Sequence, residues 1–161
     1  MFLSALESPI GKIIIKATEI EVFSINFTED IVEENPNQIS DLAKKQLIEY
    51  FEGKRKSFDF PMDQSGSDFQ KKVWLELQNI PTGNTISYAT LAKRMANPLA
   101  IRAIAAANGK NKLLLVIPCH RVIGSGGKLV GFSAGLWRKK WLLEHETRMT
   151  MLGQSFLDYK F

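Results

Sequence analysis

The sequence contains one cysteine, Cys119, and two histidines, His120 and His145. One cysteine excludes an internal disulfide, and with only two histidines beside it a Cys/His zinc site is disfavoured. No apolar run approaches the length of a membrane span, and the N-terminus lacks the basic-then-apolar order of a secretory signal. A lone free thiol suits a reducing compartment, so a cytoplasmic protein is expected, or a nuclear one were the source eukaryotic. No metal, cofactor or membrane partner is expected, and the chain is read as a monomer.

What is present is enough for a real core. The 161 residues are 45% apolar, which fits a globular protein of one domain or two small lobes. The formal net charge of +4 conceals an uneven distribution. Residues 1–62 hold 7 basic and 11 acidic side chains, whereas residues 63–161 hold 14 and 6. The second part alone has the basic character of a polyanion-binding surface. A solvated basic face would look the same, so charge does not decide between them.

The single thiol stands in the stretch Ile117-Pro118-Cys119-His120-Arg121-Val122. An apolar run, Leu113 to Ile117, leads into it, and Gly124-Ser125-Gly126-Gly127 leads out. Such a run suits a buried strand or extended segment, which Pro118 then ends. A free cysteine is more often a small buried hydrophobe than a reagent. Neighbouring cations change that balance, because they favour the thiolate. In an extended chain His120 would point away from the sulfur of Cys119, so a bridging water would carry the proton.

In chain order, strands are expected over residues 2–7, 12–18 and 22–27, followed by an acidic loop from Glu29 to Asn37. Ser40 is read as the cap of a helix to Phe51, with Leu42, Ala43, Leu47, Tyr50 and Phe51 on one face and Gly53 as its stop. Phe58 to Phe60 suggests a short edge strand. Pro61 to Gly66 reads as a linker between an N-terminal lobe, residues 1–62, and a second domain, residues 67–161. Ser67 and Gln70 form a capping-box pattern for a helix to about Asn79. Ser87 caps the next helix. Asn97 and Pro98 are read as the cap and first residue of the one after it. Two such helices within about twenty residues suggest a helix-turn-helix. From Leu99 to Ala107 the second of them is Leu, Ile and Ala except for Arg102. It can approach DNA closely through Ala103, Ala106 and Ala107, yet it has almost nothing with which to read bases. Lys93, Arg94, Lys110 and Lys112 can meet phosphates. A last helix runs from Leu136 to about Arg148, with Trp137, Trp141 and His145 on one stripe. The tail from Met149 to Phe161 is rich in apolar residues and could fold back on the core. The expected class is α+β: a small antiparallel sheet with a helix, then a mainly helical domain.

Pro118-Cys119-His120-Arg121-Val122 resembles the signature of the O6-alkylguanine-DNA alkyltransferases, also called methylated-DNA–protein-cysteine methyltransferases. The stretch from Phe69 through Val73-Trp74, Ile80-Pro81, Gly83 and Ser87-Tyr88 is similar to that family as well. The resemblance implies stoichiometric DNA repair, in which Cys119 takes an alkyl group from the O6 of guanine in double-stranded DNA and keeps it. It implies that His120 deprotonates Cys119 through a water and that Glu146, rather than the adjacent His145, orients His120. Tyr88 would hydrogen-bond the flipped guanine, and Arg102 would fill the gap it leaves. Asn111 would brace the active-site segment. Pro118, Val122 and Ser133 would border the guanine, and Arg94 and Ala103 would meet the DNA. Lys112 stands where the family often has proline. The alternatives are a Cys-dependent hydrolase, or a helix-turn-helix DNA-binding protein with a structural cysteine.

Overall fold

The computed structural model describes residues 1–150, which form two compact units. Of the described residues, the first holds Met1–Ser65 together with Lys112–Val116, and the second holds Gly66–Asn111 and residues 117–150.

In the first unit, β1 (Phe2–Ser8), β2 (Gly11–Ala17) and β3 (Val22–Phe27) form an antiparallel sheet in the order β1-β2-β3. Alternation sends Leu6, Ile13, Ile15, Ala17, Val22 and Ile25 into the core. Helix α1 (Gln38–Phe51) packs on β1 and β2 and adds Ala43, Leu47 and Tyr50. Its cap is Asn37, not Ser40. The Asn37 side chain accepts from the Ser40 amide at 2.8 Å, and the Ser40 hydroxyl accepts from the Asn37 amide at 3.0 Å. Ser40 is therefore the third helical residue of a capping box. Leu42, expected on the apolar face, is exposed, and Gln46 is buried in that layer. Gly53 (φ 78) ends the helix as expected. Residues 58–60 form no strand; Phe58 instead packs on Tyr50 and Phe60.

The apolar run before the cysteine is also not a strand. Leu113 makes a single bridge to Ile25, after which the chain turns with Leu115 at φ 74. A bulky side chain in the left-handed region is strained, at a cost of about 1–2 kcal/mol. Complete burial of Leu113, Leu114 and Leu115 offsets that strain.

In the second unit, α2 (Asp68–Leu77) starts at the expected Ser67–Gln70 capping box and buries Val73, Trp74 and Leu77. Ser87 caps α3 (Tyr88–Arg94). Helix α4 (Ile101–Gly109) begins later than Asn97-Pro98 suggests. The amide of Asn97 donates back to the Ala92 carbonyl at 3.0 Å, and Ala96 has φ 54. The chain is thus still leaving α3 at Asn97, and Pro98-Leu99 form a turn before α4. Two parallel two-residue strands, β4 (Ile86–Ser87) and β5 (Val122–Ile123), tie the start of α3 to the residues after the cysteine. Helix α5 (Leu136–Thr150) closes the unit. On it Trp141 and His145 stack at 4.7 Å, while Trp137 is exposed. Tail residues Met151, Leu152, Phe156, Leu157 and Phe161 lie outside the described residues. No helix among the described residues is long and apolar enough to cross a membrane.

Candidate active site

The site is built around the sharp reversal at Pro118. The Cys119 amide donates to the Ile117 carbonyl at 2.8 Å across Pro118 (φ −82, ψ 64), an inverse γ-turn that proline's fixed φ favours. Cys119–Arg121 then form one turn of 3-10 helix, not the extended chain expected. In this turn His120 and Arg121 both reach Glu146, while Cys119 lines a cavity.

His120 is fully buried, and its Nε2 lies 2.6 Å from Glu146 Oε2. Arg121 grips the same carboxylate, Nε donating to Oε1 at 2.7 Å and Nη2 to Oε2 at 3.1 Å. Its Nη1 donates to the Ile80 carbonyl and its Nη2 to Thr82 Oγ1. Burial alone would raise the Glu146 pKa. The charges and hydrogen bonds of His120 and Arg121 outweigh it and hold the carboxyl well below the usual range. Burial lowers the His120 pKa against the pull of Glu146, and the Arg121 and Lys139 charges lower it further. The resting imidazole is therefore neutral. An ionised Glu146 accepts from Nε2–H, so Nδ1 carries the lone pair and is the basic nitrogen.

Cys119 is 3% exposed. Burial raises its pKa; a hydrogen bond from the Asn111 side chain, the Lys139 charge and nearby backbone amides oppose that rise. The thiol is thus protonated at rest, with groups in place to receive its charge. Asn111 also donates to the Ile117 carbonyl at 2.8 Å and so holds the γ-turn.

Cys119 lines a cavity of about 380 Å³ with Tyr88, Ala105, Asn108, Val130, Phe132 and Ser133. Of the residues singled out in the sequence, Cys119, Tyr88 and Ser133 meet there. His120 and Glu146 are buried and bonded to each other, and Asn111 hydrogen-bonds Cys119. Pro118 and Val122 are buried but do not line the cavity. Arg94, Arg102, Ala103 and Ala106 are exposed on α3 and α4. Ala107, expected on that outer face, is buried, and its carbonyl accepts from Trp74 Nε1 at 2.9 Å. A larger cavity of about 780 Å³ in the first unit gathers Lys16, Asp30, Glu33 and Glu34, but no cysteine or histidine.

Three contributors escaped the sequence reading. Arg121 is an inward lock on Glu146, not merely a cation near a thiol. Asn108 donates to Tyr88 Oη and to the Cys119 carbonyl, each at 3.2 Å. Lys139, read as part of the basic run Arg138-Lys139-Lys140, is fully buried. Its ammonium donates to the carbonyls of Val122, Val130 and Gly131 at 2.6, 3.0 and 3.2 Å. Gly131 (φ 59) provides the left-handed turn that accompanies two successive carbonyls on one cation. Burial lowers the Lys139 pKa to about 8 despite the attraction of Cys119. Nothing in a run of three basic residues marks the middle one as internal.

Two family models cover these units. Residues 1–64 match the 6-O-methylguanine DNA methyltransferase, ribonuclease-like domain, and residues 68–148 match the 6-O-methylguanine DNA methyltransferase, DNA binding domain. The chain belongs to the 6-O-methylguanine DNA methyltransferase family. Among its relatives, the methylated-DNA–protein-cysteine methyltransferase of Methanosarcina acetivorans is 40% identical, over 91% of this chain and 98% of its own. The constitutive enzyme of that name from Bacillus subtilis is 39% identical, over 82% and 86%. The crystal structure of Mycobacterium tuberculosis O6-methylguanine methyltransferase superposes with a TM-score of 0.83 at 36% identity, covering 93% of this chain and 94% of that one. A structure of the M. tuberculosis protein in complex with DNA gives 0.84 at the same identity, covering 92% and 94%. These relatives favour neither a hydrolase nor a purely DNA-binding regulator.

Proposed function

We propose that Cys119 is the acceptor in a DNA repair reaction that moves the alkyl group of an O6-alkylguanine onto protein. The observation that carries this reading is the position of the only cysteine. It faces a cavity that also holds Tyr88, and it is backed by a buried His120–Glu146–Arg121 assembly. Relatives about 40% identical over nearly the whole chain are methylated-DNA–protein-cysteine methyltransferases.

The chemistry follows from the protonation states. Nδ1 of His120 is basic and buried, with no protein partner. One water spanning Sγ and Nδ1 carries the thiol proton to the imidazole, and Glu146 stabilises the cation that forms. The thiolate attacks the alkyl carbon, forming a C–S bond as the C–O6 bond breaks. The bonding pair leaves with guanine, which takes a proton from the Tyr88 hydroxyl; the imidazolium's proton returns to the tyrosine through solvent. The sum is thiol plus O6-alkylguanine giving thioether plus guanine. A thioether has no hydrolytic exit, so one protein repairs one base.

An O6-alkyl group within a duplex cannot reach a buried sulfur. The nucleotide must be flipped out, at a cost of a few kcal/mol. Helices α3 and α4, read as a helix-turn-helix, present the surface for this. Lys93, Arg94 and Lys110 are exposed for phosphates, and Arg102 is exposed beside Ala103 and Ala106, which permit close approach. Arg102 enters the stack in place of the flipped guanine.

Intact-mass spectrometry after incubation with an O6-methylguanine duplex tests the acceptor. One methyl per protein on Cys119, and none in Cys119→Ala, is expected. Repeated turnover, or a methyl elsewhere, overturns it.

A further inference from the structure

Leu99 is 97% exposed, and Ile101, two residues on, is exposed as well. The exposed Ala103 and Ala106 extend this apolar surface along α4. Leu99 is firmly held for so exposed a residue. It sits in a turn in which the Ala100 amide donates to the Asn97 carbonyl at 3.1 Å, with Pro98 fixing the backbone before it. The Ile104 amide donates to the Ala100 carbonyl at 2.8 Å and fastens that turn to the start of α4. An aliphatic side chain is thus presented to solvent on a constrained backbone, which leaves little backbone freedom to lose when a partner covers it.

The surrounding charges select the partner. Residues 88–110 carry four cationic side chains, Lys93, Arg94, Arg102 and Lys110, and no acidic one. A second copy of the same face would be repelled, whereas a polyanion is attracted. Leu99 cannot pair with a phosphate. Its favourable contacts on a duplex are with the apolar edges of deoxyribose and the faces of bases. Arg102, which enters the stack in the proposed mechanism, lies three residues further on. Proteins that distort DNA frequently insert an aliphatic wedge at a base step.

We propose that Leu99 is such a wedge: it packs against the base step beside the flipped nucleotide and helps Arg102 hold that step open. It is a positioning residue for repair of duplex DNA, with no contact to the reacting atoms. This role rests on the reading of α3 and α4 as the DNA-docking surface, and adds to it an apolar contact among the charged ones.

The test is single-turnover methyl transfer at saturating duplex, with O6-methylguanine placed opposite cytosine or opposite an abasic site. In Leu99→Ala, transfer opposite cytosine should slow about tenfold, in line with the loss of one covered aliphatic side chain. Opposite the abasic site no pair has to be broken, and the gap should close to within about twofold. Leu99→Met keeps an apolar side chain of similar size and should match wild type on both duplexes. A Leu99→Ala rate equal to wild type opposite cytosine overturns the proposal. A deficit of the same size on both duplexes, or one seen only below saturation, also overturns it, because each makes Leu99 a plain docking contact. Self-association of the DNA-free protein that Leu99→Ala abolishes would assign the patch to a second copy instead. Transfer from neither duplex by wild type would defeat the alkyl-transfer reading itself, and the wedge with it.

Discussion

Nε2 of His120 lies 2.6 Å from Oε2 of Glu146, and both side chains are sealed from solvent. The same carboxylate takes two hydrogen bonds from Arg121. One residue of α5 therefore sets the tautomer of His120 and neutralises a buried guanidinium.

Glu146→Gln should impair both functions. Single-turnover methyl transfer should slow on the order of 10²-fold, the lower end for loss of assisted proton transfer. Stability at pH 7 should fall by about 3–5 kcal/mol, because Arg121 is left as an uncompensated buried charge. The pH dependence has a definite sign. The folded carboxyl is depressed below its ordinary 4.5, so its contribution is present above that value and is lost as pH falls towards the folded pKa. Denaturant titrations of wild type and variant should therefore converge as pH drops below about 5. A stability gap as wide at pH 3.5 as at pH 7 would contradict an ionised Glu146.

Lys139 has no carboxylate partner among the described residues, and its charge favours the Cys119 thiolate. In Lys139→Met, alkylation of Cys119 by iodoacetamide at pH 7 should slow on the order of tenfold, equivalent to about one pKa unit. The midpoint of its rate–pH curve should move upward. Unchanged alkylation would mean that Lys139 only ties Val122, Val130 and Gly131 together.

Arg102→Ala should slow repair of duplex DNA while barely affecting reaction with free O6-benzylguanine, which needs no flipping. If saturating duplex restores the wild-type single-turnover rate, Arg102 is only a phosphate contact and the inserted-arginine idea is wrong.

Binding to undamaged duplex should weaken steeply with salt and depend little on sequence. Arg94→Ala should reduce the slope of log affinity against log salt by about 1, the signature of one lost phosphate contact. A strong preference for one undamaged sequence would count against the role given to α4.

Much of this was legible in the sequence because local chemistry decided it. Ser67 and Ser87 are caps whose partners lie three residues on, and strand alternation in residues 2–27 needs only its own pattern. Cys119 and His120 were singled out by the compact Pro118–Val122 signature, and Tyr88 by the resemblance from Phe69 to Tyr88. The remainder depends on contacts distant in sequence. Lys139 looked like a surface residue because its three carbonyl partners come from Val122 and the loop at 130–131. Asn108 sat in a helix read for its outer face, while its side chain bonds to Tyr88 and the Cys119 carbonyl on the inner one. The Leu113–Ile117 run fitted a strand by composition, yet it makes a single isolated bridge, Leu113 to Ile25, and no continued ladder. Asn37 and Ser40 both cap well; the choice between them is made by where the chain leaves the preceding loop.

That partnership of Ile25 with residues 112–114 governs the order in which the protein can be made. The Ile25 amide donates to the Lys112 carbonyl at 2.8 Å, and the Leu114 amide donates to the Ile25 carbonyl at 3.2 Å. An N-terminal domain ordinarily folds while the rest of the chain is still being synthesised. Residues 61–63 pair with β3 at Val22, but at Ile25 its edge stays unpaired until residue 114 has been made, and Cys119 follows five residues later.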